Sequence, residues 1–148
     1  MDMKSATLSI LFLFSILNCN AQQWQNDLDM GLKAAAQQNK KVLLFFSVPE
    51  HCDTCVKLEK KIFQSPEFLA FAESNYVLVK IDFSYQSEDL SKEQLEKNLL
   101  IVEKYNKDGF FPHVVVLNTA AKITLKTSVY NNETPQEYLS LLKKNTKS

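Results

Sequence analysis

Seven consecutive residues, VLLFFSV at positions 42–48, contain a single polar side chain, that of Ser47. A half-exposed strand alternates apolar and polar residues, whereas this run has no alternation, so it predicts a strand covered on both faces. A sheet with helices packed on both sides provides that environment. Pro49 ends the predicted strand, and two cysteines, Cys52 and Cys55, follow shortly after it.

Helical and strand patterns alternate through the rest of the sequence. The spacing of apolar residues predicts helices at 26–41, 52–63, 66–74, 92–106 and 135–142, and strands at 42–48, 76–83, 113–117 and 122–129. The last two strands read as a hairpin across the turn NTAA. We therefore expect an α/β fold with a central mixed sheet flanked by helices, in the order α-β-α-α-β-α-β-β-α.

Polar residues at the helix starts support these assignments. Asn26 is the expected cap of the first helix, and Ser65 followed by Pro66 opens the third. Ser91 and Gln94 have the spacing of a capping box before the fourth helix. Two sets of apolar residues in the last two helices are expected to be buried, namely Leu95, Leu99 and Val102, and Leu139, Leu141 and Leu142.

Residues 1–21 have the pattern of a signal peptide rather than of a folded element. Lys4 gives a positive start, positions 6–17 are an apolar stretch too short to span a bilayer, and a cleavage site follows Ala21. The alternative is acylation at Cys19, as in a bacterial lipoprotein. Both routes export the chain to the periplasm or the cell exterior.

The expected exported part, residues 22–148, has the length of one domain with its own core. The 17 basic residues balance the 17 acidic ones, and all the basic residues are lysines spread among the acids. Nucleic-acid binding usually needs a basic patch with arginine, so the composition argues against it. Gly31 and Gly109 are the two glycines, so no glycine-rich cofactor loop is present. We expect a monomer without cofactor or transmembrane helix.

Cleavage would leave Cys52 and Cys55 as the cysteines of the exported protein, in a compartment that permits disulfides. Such a pair serves as half of a metal site, as a structural bridge or as a reversible dithiol. A bridge across two residues constrains little of the unfolded chain, so reactivity is the better reason for it. Cys52 lies at the expected helix start, where backbone N–H groups favour a thiolate, and is the predicted nucleophile. Cys55, one turn further in, is the predicted resolving thiol.

Charged neighbours of the two cysteines bear on proton transfer. His51, when protonated, favours a thiolate at Cys52, whereas Asp53 opposes it. Glu59 follows Cys55 by four residues and therefore lies on the same helical face. Its carboxylate either carries the proton of the buried thiol or is simply solvated, and both interpretations stay open from the residues alone.

The segment Phe111–Pro112 precedes the valine-rich third strand. Pro112 either just begins that strand or forms a cis peptide bond with Phe111. In the second case the backbone at this position would hold a substrate segment beside the dithiol.

Two other functions compete with a redox dithiol. A metal-binding module would use Cys52, Cys55, His51 and His113. Structural zinc usually has four ligands in two spaced pairs, whereas this chain has one pair of cysteines and His51 directly adjoins Cys52, so we predict no metal. A non-catalytic interaction domain with a permanent disulfide is the second alternative, because a fold does not by itself determine a function.

The stretches FFSVPEHCDTCVKLEKKIF and GFFPHVVV together resemble the thioredoxin superfamily. The similarity extends over nearly all of the exported part and is greatest to secreted bacterial thioredoxin-like proteins akin to the periplasmic domain of transmembrane thiol reductant transporters. It implies a thioredoxin-like fold. It also implies that Cys52 attacks, that Cys55 resolves and that Pro112 is a cis-proline beside them. Glu59 matches an acidic position that the transporter domain keeps after its second cysteine.

The chain departs from the family pattern at several positions near the dithiol. His51 replaces the usual tryptophan, and the buried acid of the preceding strand falls on Phe45 or Phe46. The resemblance thus implies an exported thiol–disulfide oxidoreductase, a disulfide reductase whose partners are protein disulfides or a thiol electron donor. His51, Phe111 and Pro112 are the expected substrate-contacting residues. From the residues alone, oxidation or isomerisation of partner disulfides stays open as well.

Overall fold

A computed structural model describes residues 23–83 and 90–144 of the chain. The helices are α1 (Leu28–Gln38), α2 (Asp53–Leu58), α3 (Pro66–Asn75), α4 (Lys92–Tyr105) and α5 (Pro135–Lys143). The strands are β1 (Lys41–Ser47), β2 (Tyr76–Asp82), β3 (His113–Leu117) and β4 (Ile123–Thr127). A 3₁₀ turn at Pro49–His51 precedes α2, and a π-helical turn at Glu59–Phe63 continues it. The predicted order of helices and strands is confirmed.

The four strands form one mixed sheet in the order β2-β1-β3-β4. β1 and β2 are parallel, and β3 is antiparallel to both β1 and β4, which confirms the predicted hairpin at one edge. Because Phe46 pairs with His113 and Val114 pairs with Thr127, β1 and β4 end where β3 begins. We call this the dithiol end of the sheet, since the chain leaves β1 there toward the two cysteines.

The backbone of Gln25 joins the outer side of β2. Its N–H donates to the carbonyl of Leu78 at 2.9 Å, and its carbonyl accepts from the N–H of Lys80 at 2.8 Å. Trp24, the preceding residue, packs against the rings of Phe45 and Phe63 at centroid distances of 5.9 and 5.2 Å. The segment before α1 is therefore held both by the sheet and by the core.

The sheet separates two apolar clusters, as the unbroken apolar run of β1 predicts. Leu43 and Phe45 point to the side covered by α2, α3 and α5, whereas Val42, Leu44 and Phe46 point to the side covered by α1 and α4. We call these the α2-side and α4-side clusters. Phe111 packs against both, because it lies at the dithiol end where the two sides meet.

Helix α1 begins later than the sequence predicts. The cap is Asp27, whose carboxylate accepts from the Met30 N–H at 2.8 Å, so the prediction of Asn26 is wrong. Asp27 has the extended backbone that aims a cap side chain at the third helical residue. The helix ends at Asn39, which adopts the left-handed conformation with φ of 51°.

Helix α4 buries a different face from the one predicted. Leu95 and Leu99 are 42% and 53% exposed, so the expectation that they lie in the core is wrong, although Val102 does pack against the α4-side cluster. Asn98 takes the buried position instead. It is satisfied there because the Gln94 side chain donates to its Oδ1 at 2.9 Å.

The start of α4 agrees with the prediction in part. The Ser91 hydroxyl accepts from the Gln94 N–H at 3.1 Å, as a cap does. The Gln94 side chain, however, is turned toward Asn98 and the carbonyl of Asn26. Helix α4 is thereby linked to the segment that precedes α1.

Helix α5 opens with a complete capping box between Thr134 and Glu137. Leu139 and Leu142 are buried as predicted. Leu141 is 38% exposed, so its predicted burial is wrong, and Tyr138 is buried in its place. Tyr138, Leu139 and Leu142 share one face, and Leu141 lies beside that face.

The predicted signal peptide at residues 1–21, with its alternative acylation site at Cys19, lies outside the described residues. So do residues 84–89, which lie between β2 and Ser91. Among residues 23–83 and 90–144, no helix is long and apolar enough to cross a membrane.

Candidate active site

The two cysteines lie where the chain turns from β1 into α2. The 3₁₀ turn at Pro49–His51, which the sequence pattern did not predict, carries the chain over the dithiol end of the sheet. Cys52 is the N-cap of α2, and Cys55 lies in its first turn. The predicted placement of both thiols at a helix start is confirmed.

Cys52 and Cys55 are joined by a disulfide, with their Cα atoms 5.2 Å apart. Cys55 is fully buried in the α2-side cluster, whereas Cys52 is only partly covered by it. The backbone N–H of Cys55 donates to Sγ of Cys52 at 3.0 Å. An incoming sulfur therefore reaches Cys52 first, and a negative charge on Cys52 would be stabilised by that N–H.

Glu59 ends α2 and is bound to β2 through an ion pair. Its carboxylate accepts from Nζ of Lys80 at 3.1 Å through Oε1 and at 3.0 Å through Oε2. Asp82 is a second partner of Lys80, at 3.5 Å. Glu59 is partly buried, so the interpretation of a freely solvated carboxylate does not describe it.

Of the two phenylalanines that fall near the family's buried acid, Phe45 points toward the dithiol. Phe45 lies in the same cluster as Cys55, whereas Phe46 lies on the opposite side of the sheet. Nζ of Lys80 is 6.0 Å from the centre of the Phe45 ring. The charged groups on this side of the sheet, Glu59 and Lys80, thus come from the end of α2 and from β2 rather than from β1.

The segment before β3 reaches the same end of the sheet. The Phe111–Pro112 peptide bond is cis, as the resemblance implied, and Pro112 is buried. Phe111 is half-buried and packs against the cluster that also covers Cys52. Its ring meets the edge of Phe83 at a centroid distance of 6.2 Å, which fixes it beside the end of β2.

The two histidines differ in environment. His51 is exposed in the turn before Cys52, next to the exposed Asp53. His113 is buried, with Nδ1 at 2.6 Å from the Ser128 hydroxyl and Nε2 at 3.2 Å from the Tyr105 carbonyl. Burial lowers the pKa of His113.

The structure gives no support to the metal-binding alternative. Both ring nitrogens of His113 already have partners, so neither is open to a metal. Within the described part of the chain, no group of three or more His, Cys, Asp or Glu side chains is arranged to hold an ion.

Two residues at the dithiol end were not identified from the sequence. Lys80 looked like an ordinary strand lysine, because its partner Glu59 is 21 positions away. Ser47 is fully buried at the end of β1, and its hydroxyl has no hydrogen-bond partner among the described residues. A single hydroxyl closing an otherwise apolar run was the available signal for Ser47.

Comparison with known proteins gives matches over most of the chain. A family model described as thioredoxin-like matches residues 23–119. The disulfide bond reductase DsbH of Chlamydia pneumoniae is 32% identical over 100 residues, which are 68% of this chain and 58% of that protein. The chain thus spans little more than half of that relative.

Two solved structures resemble this chain over most of its length. A structure of a DsbH oxidoreductase superposes with a TM-score of 0.75 at 28% identity and covers 84% of both chains. The C-terminal domain of Neisseria meningitidis DsbD, in its oxidised form, has a TM-score of 0.60 at 15% identity, over 83% of this chain and 99% of that one. The second likeness concerns the fold alone.

Proposed function

Because this chain belongs to the thioredoxin-like family, we propose that it is an exported thiol–disulfide oxidoreductase that reduces disulfides through Cys52 and Cys55. The observation that carries the proposal is the unequal exposure of the two bonded cysteines. Cys52 is partly exposed at a helix start, whereas Cys55 is fully buried behind it. A permanent structural bridge has no need of this difference, but two successive attacks by two thiols do.

The reaction begins with both cysteines reduced. The Cys52 thiolate attacks one sulfur of the partner's disulfide, forms a mixed disulfide and releases the partner's other sulfur as a thiolate. The Cys55 thiolate then attacks Sγ of Cys52 and releases the second partner sulfur. The partner gains two electrons and, at neutral pH, two protons, and the protein ends with the Cys52–Cys55 disulfide.

Glu59 is the proposed proton carrier for Cys55. A fully buried thiol must lose its proton before it can attack, and water does not reach it directly. Glu59 is one helical turn away, and its backbone N–H donates to the Cys55 carbonyl, so the two residues share a helix face. Lys80 holds the carboxylate in place from β2.

His51, Phe111 and Pro112 are the proposed substrate contacts. His51 precedes the attacking cysteine in an exposed turn, and the Phe111–Pro112 segment lies at the same end of the sheet. A partner segment bound in extended form across this end would contact both places. The support for this role is their common position, together with the family resemblance.

Reduction is the proposed direction because the 32% identical relative is named a disulfide bond reductase. The partners would be protein disulfides, with a thiol electron donor restoring the dithiol. We further propose export through a signal peptide at residues 1–21, with residues 22–148 acting as a single monomeric domain.

Cysteine variants test the assignment. Cys52→Ser should lose the reduction of insulin-type disulfides, whereas Cys55→Ser should still attack and accumulate mixed disulfides, seen on non-reducing gels and by mass spectrometry. Substantial reductase activity in Cys52→Ser would overturn the proposal.

The reduction potential of the Cys52–Cys55 couple, measured against a glutathione buffer, tests the direction. A potential close to about −270 mV, as in thioredoxin, would support reduction of partners. One close to about −120 mV, as in strong dithiol oxidants, would assign the opposite direction.

A further inference from the structure

A cleft of about 330 Å³ lies beside the Phe111–Pro112 segment, on the α4 side of the sheet. Its walls are the last turn of α4, the loop at residues 106–110 and β4 with Ser128 after it. Its position follows from the sheet register, since His113 follows Pro112 directly and pairs with Phe46 near the end of β1. The cleft thus runs along β4 and reaches the dithiol end at His113, Thr127 and Ser128, next to the proposed substrate contacts.

Hydrogen bonds fix the walls of this cleft. The Tyr105 hydroxyl donates to the Ala121 carbonyl at 3.2 Å, which ties α4 to the β3–β4 turn. Asn106 is buried, and its side chain both donates to the Phe110 carbonyl at 2.8 Å and accepts from the Phe110 N–H at 3.1 Å. The site is therefore formed before any ligand arrives, which lowers the entropic cost of binding.

His113 forms part of the floor of the cleft. Nε2 donates to the Tyr105 carbonyl, and in the neutral ring Nδ1 accepts from the Ser128 hydroxyl. Burial lowers the pKa of His113 and so favours this uncharged form. The charge of the cleft consequently comes from its rim.

The rim carries an excess of positive charge. Lys104, Lys107 and Lys126 line the cleft together with one carboxylate, that of Asp108, while the whole chain has a formal charge of zero. A lysine in the last turn of α4 is expected, because a cation there stabilises the helix dipole. That reason explains Lys104, but not Lys126, which projects from β4 on the opposite wall.

Apolar surface accompanies this charge. Phe110 and Ile123 line the cleft and are 54% and 45% exposed. Large apolar side chains left open beside charged ones are typical of an interaction site. An occupant with carboxylates and an apolar side chain would match both features.

We propose that this cleft binds an acidic segment of a polypeptide partner while Cys52 exchanges with that partner's disulfide. The inference rests on the proposed function and adds a preference to it. Carboxylates of the partner pair with Lys104, Lys107 and Lys126, and an apolar side chain of the partner covers Phe110 and Ile123. The binding holds the partner next to the Phe111–Pro112 segment and so favours partners with acidic residues near their cysteines.

Two synthetic disulfide peptides of identical length test the inference. One carries Glu-Glu-Leu a few residues from its cysteine, and the other carries Gln-Gln-Leu there. The reduced full-length protein should reduce the acidic peptide about fivefold to tenfold faster at low salt, and this preference should shrink as ionic strength rises. The triple variant Lys104→Gln, Lys107→Gln, Lys126→Gln should lose the preference and keep its rate on the amide peptide.

A matched variant controls for total charge. Lys33→Gln, Lys61→Gln, Lys122→Gln removes three exposed lysines outside the cleft and should keep the preference. Equal rates on both peptides with the unaltered protein, or a preference that survives in the cleft variant, would overturn the inference and leave the proposed function standing. Failure to reduce either peptide would instead count against the proposed function. Binding to phosphatidylglycerol vesicles, lost in the cleft variant and without any peptide preference, would assign the cleft to a membrane surface and also overturn the inference.

Discussion

Replacing Glu59 by glutamine should slow the second step of disulfide exchange and leave the first step unchanged. The carboxylate is proposed to take the proton of Cys55, which is fully buried and attacks only in the second step. Glutamine keeps the size of the side chain and one hydrogen-bond-accepting oxygen but cannot carry a proton. The Cys52 thiol is partly exposed and can lose its proton to water, so its attack should not depend on Glu59.

The expected loss of rate is up to about 10²-fold, the lower end for removal of a positioned acid–base group. The expected loss of stability is small. Lys80 loses two charge-assisted contacts of 3.0 and 3.1 Å, but Asp82 stays within 3.5 Å as a second partner. Both members of the broken pair also keep some contact with water, at 19% and 27% exposure. We therefore expect a loss of about 1 kcal/mol in the free energy of unfolding.

An aromatic disulfide separates the two steps in a stopped-flow experiment. One coloured thiolate is released when Cys52 attacks, and the second when Cys55 resolves the mixed disulfide. Lys80→Met is the matched variant, because it breaks the same ion pair and keeps the carboxylate. It should lose similar stability in denaturant and retain most of the second-phase rate.

Three results would refute this reasoning about Glu59. A second phase of Glu59→Gln equal to that of the unaltered protein from neutral to alkaline pH would leave Glu59 with a structural role only. Equal slowing of both phases would indicate damage to the site as a whole. Equal slowing of the second phase in Glu59→Gln and Lys80→Met would attribute the effect to the ion pair rather than to proton transfer.

Three further predictions concern stability, measured by denaturant unfolding of the oxidised protein followed by circular dichroism. Gly31→Ala should cost about 1–3 kcal/mol, because the new Cβ would overlap Cγ2 of Val79. Phe63→Ala should lower the free energy of unfolding by about 3–5 kcal/mol, since the Phe63 ring packs against four other aromatic rings. Leu99→Ala, at an exposed site, is the comparison and should lower it by under about 1 kcal/mol. Burial lowers the pKa of His113 below its ordinary value of 6.5, so this side chain binds a proton at higher pH in the unfolded chain than in the folded protein. The free energy of unfolding should therefore fall as the pH drops below that value, and it should fall less steeply in His113→Gln.

The order of elements was predictable because each element carries a local signal. The apolar run of β1, the capped starts of α3 and α5 and the helical position of the cysteines all follow from neighbouring residues. The buried face of helix α4 could not be predicted in this way. Its leucines lie along two adjacent rows of the helix surface, and a polar pair, Gln94 and Asn98, occupies the row that faces the sheet. Periodicity alone favours the leucines, whereas in the structure Asn98 is buried and accepts a hydrogen bond from Gln94, four residues earlier.

From residue spacing alone, the candidate site was predictable only where its residues are close in sequence, whereas the place of Pro112 came from the family resemblance. Cys52, Cys55 and Glu59 lie within one short helical stretch, so their relation follows from helical spacing. Lys80 belongs to another strand, and its contact with Glu59 depends on how α2 packs over β2. Which of Phe45 and Phe46 faces the dithiol also depended on the length of the unpredicted turn at Pro49–His51, because that turn sets the distance between β1 and Cys52.

The backbone of Gln25 along β2 also affects how copies of this protein meet one another. The unpaired N–H and C=O groups of an edge strand can pair with a strand of another chain, and such pairing leads to aggregates. Gln25 already forms hydrogen bonds with part of the outer edge of β2, and the exposed Lys126 places a charge on β4 at the other edge of the sheet. Trp24 packs against Phe45 and Phe63 and so holds Gln25 in place, and loss of its ring is expected to expose the outer edge of β2 and to make the protein prone to self-association.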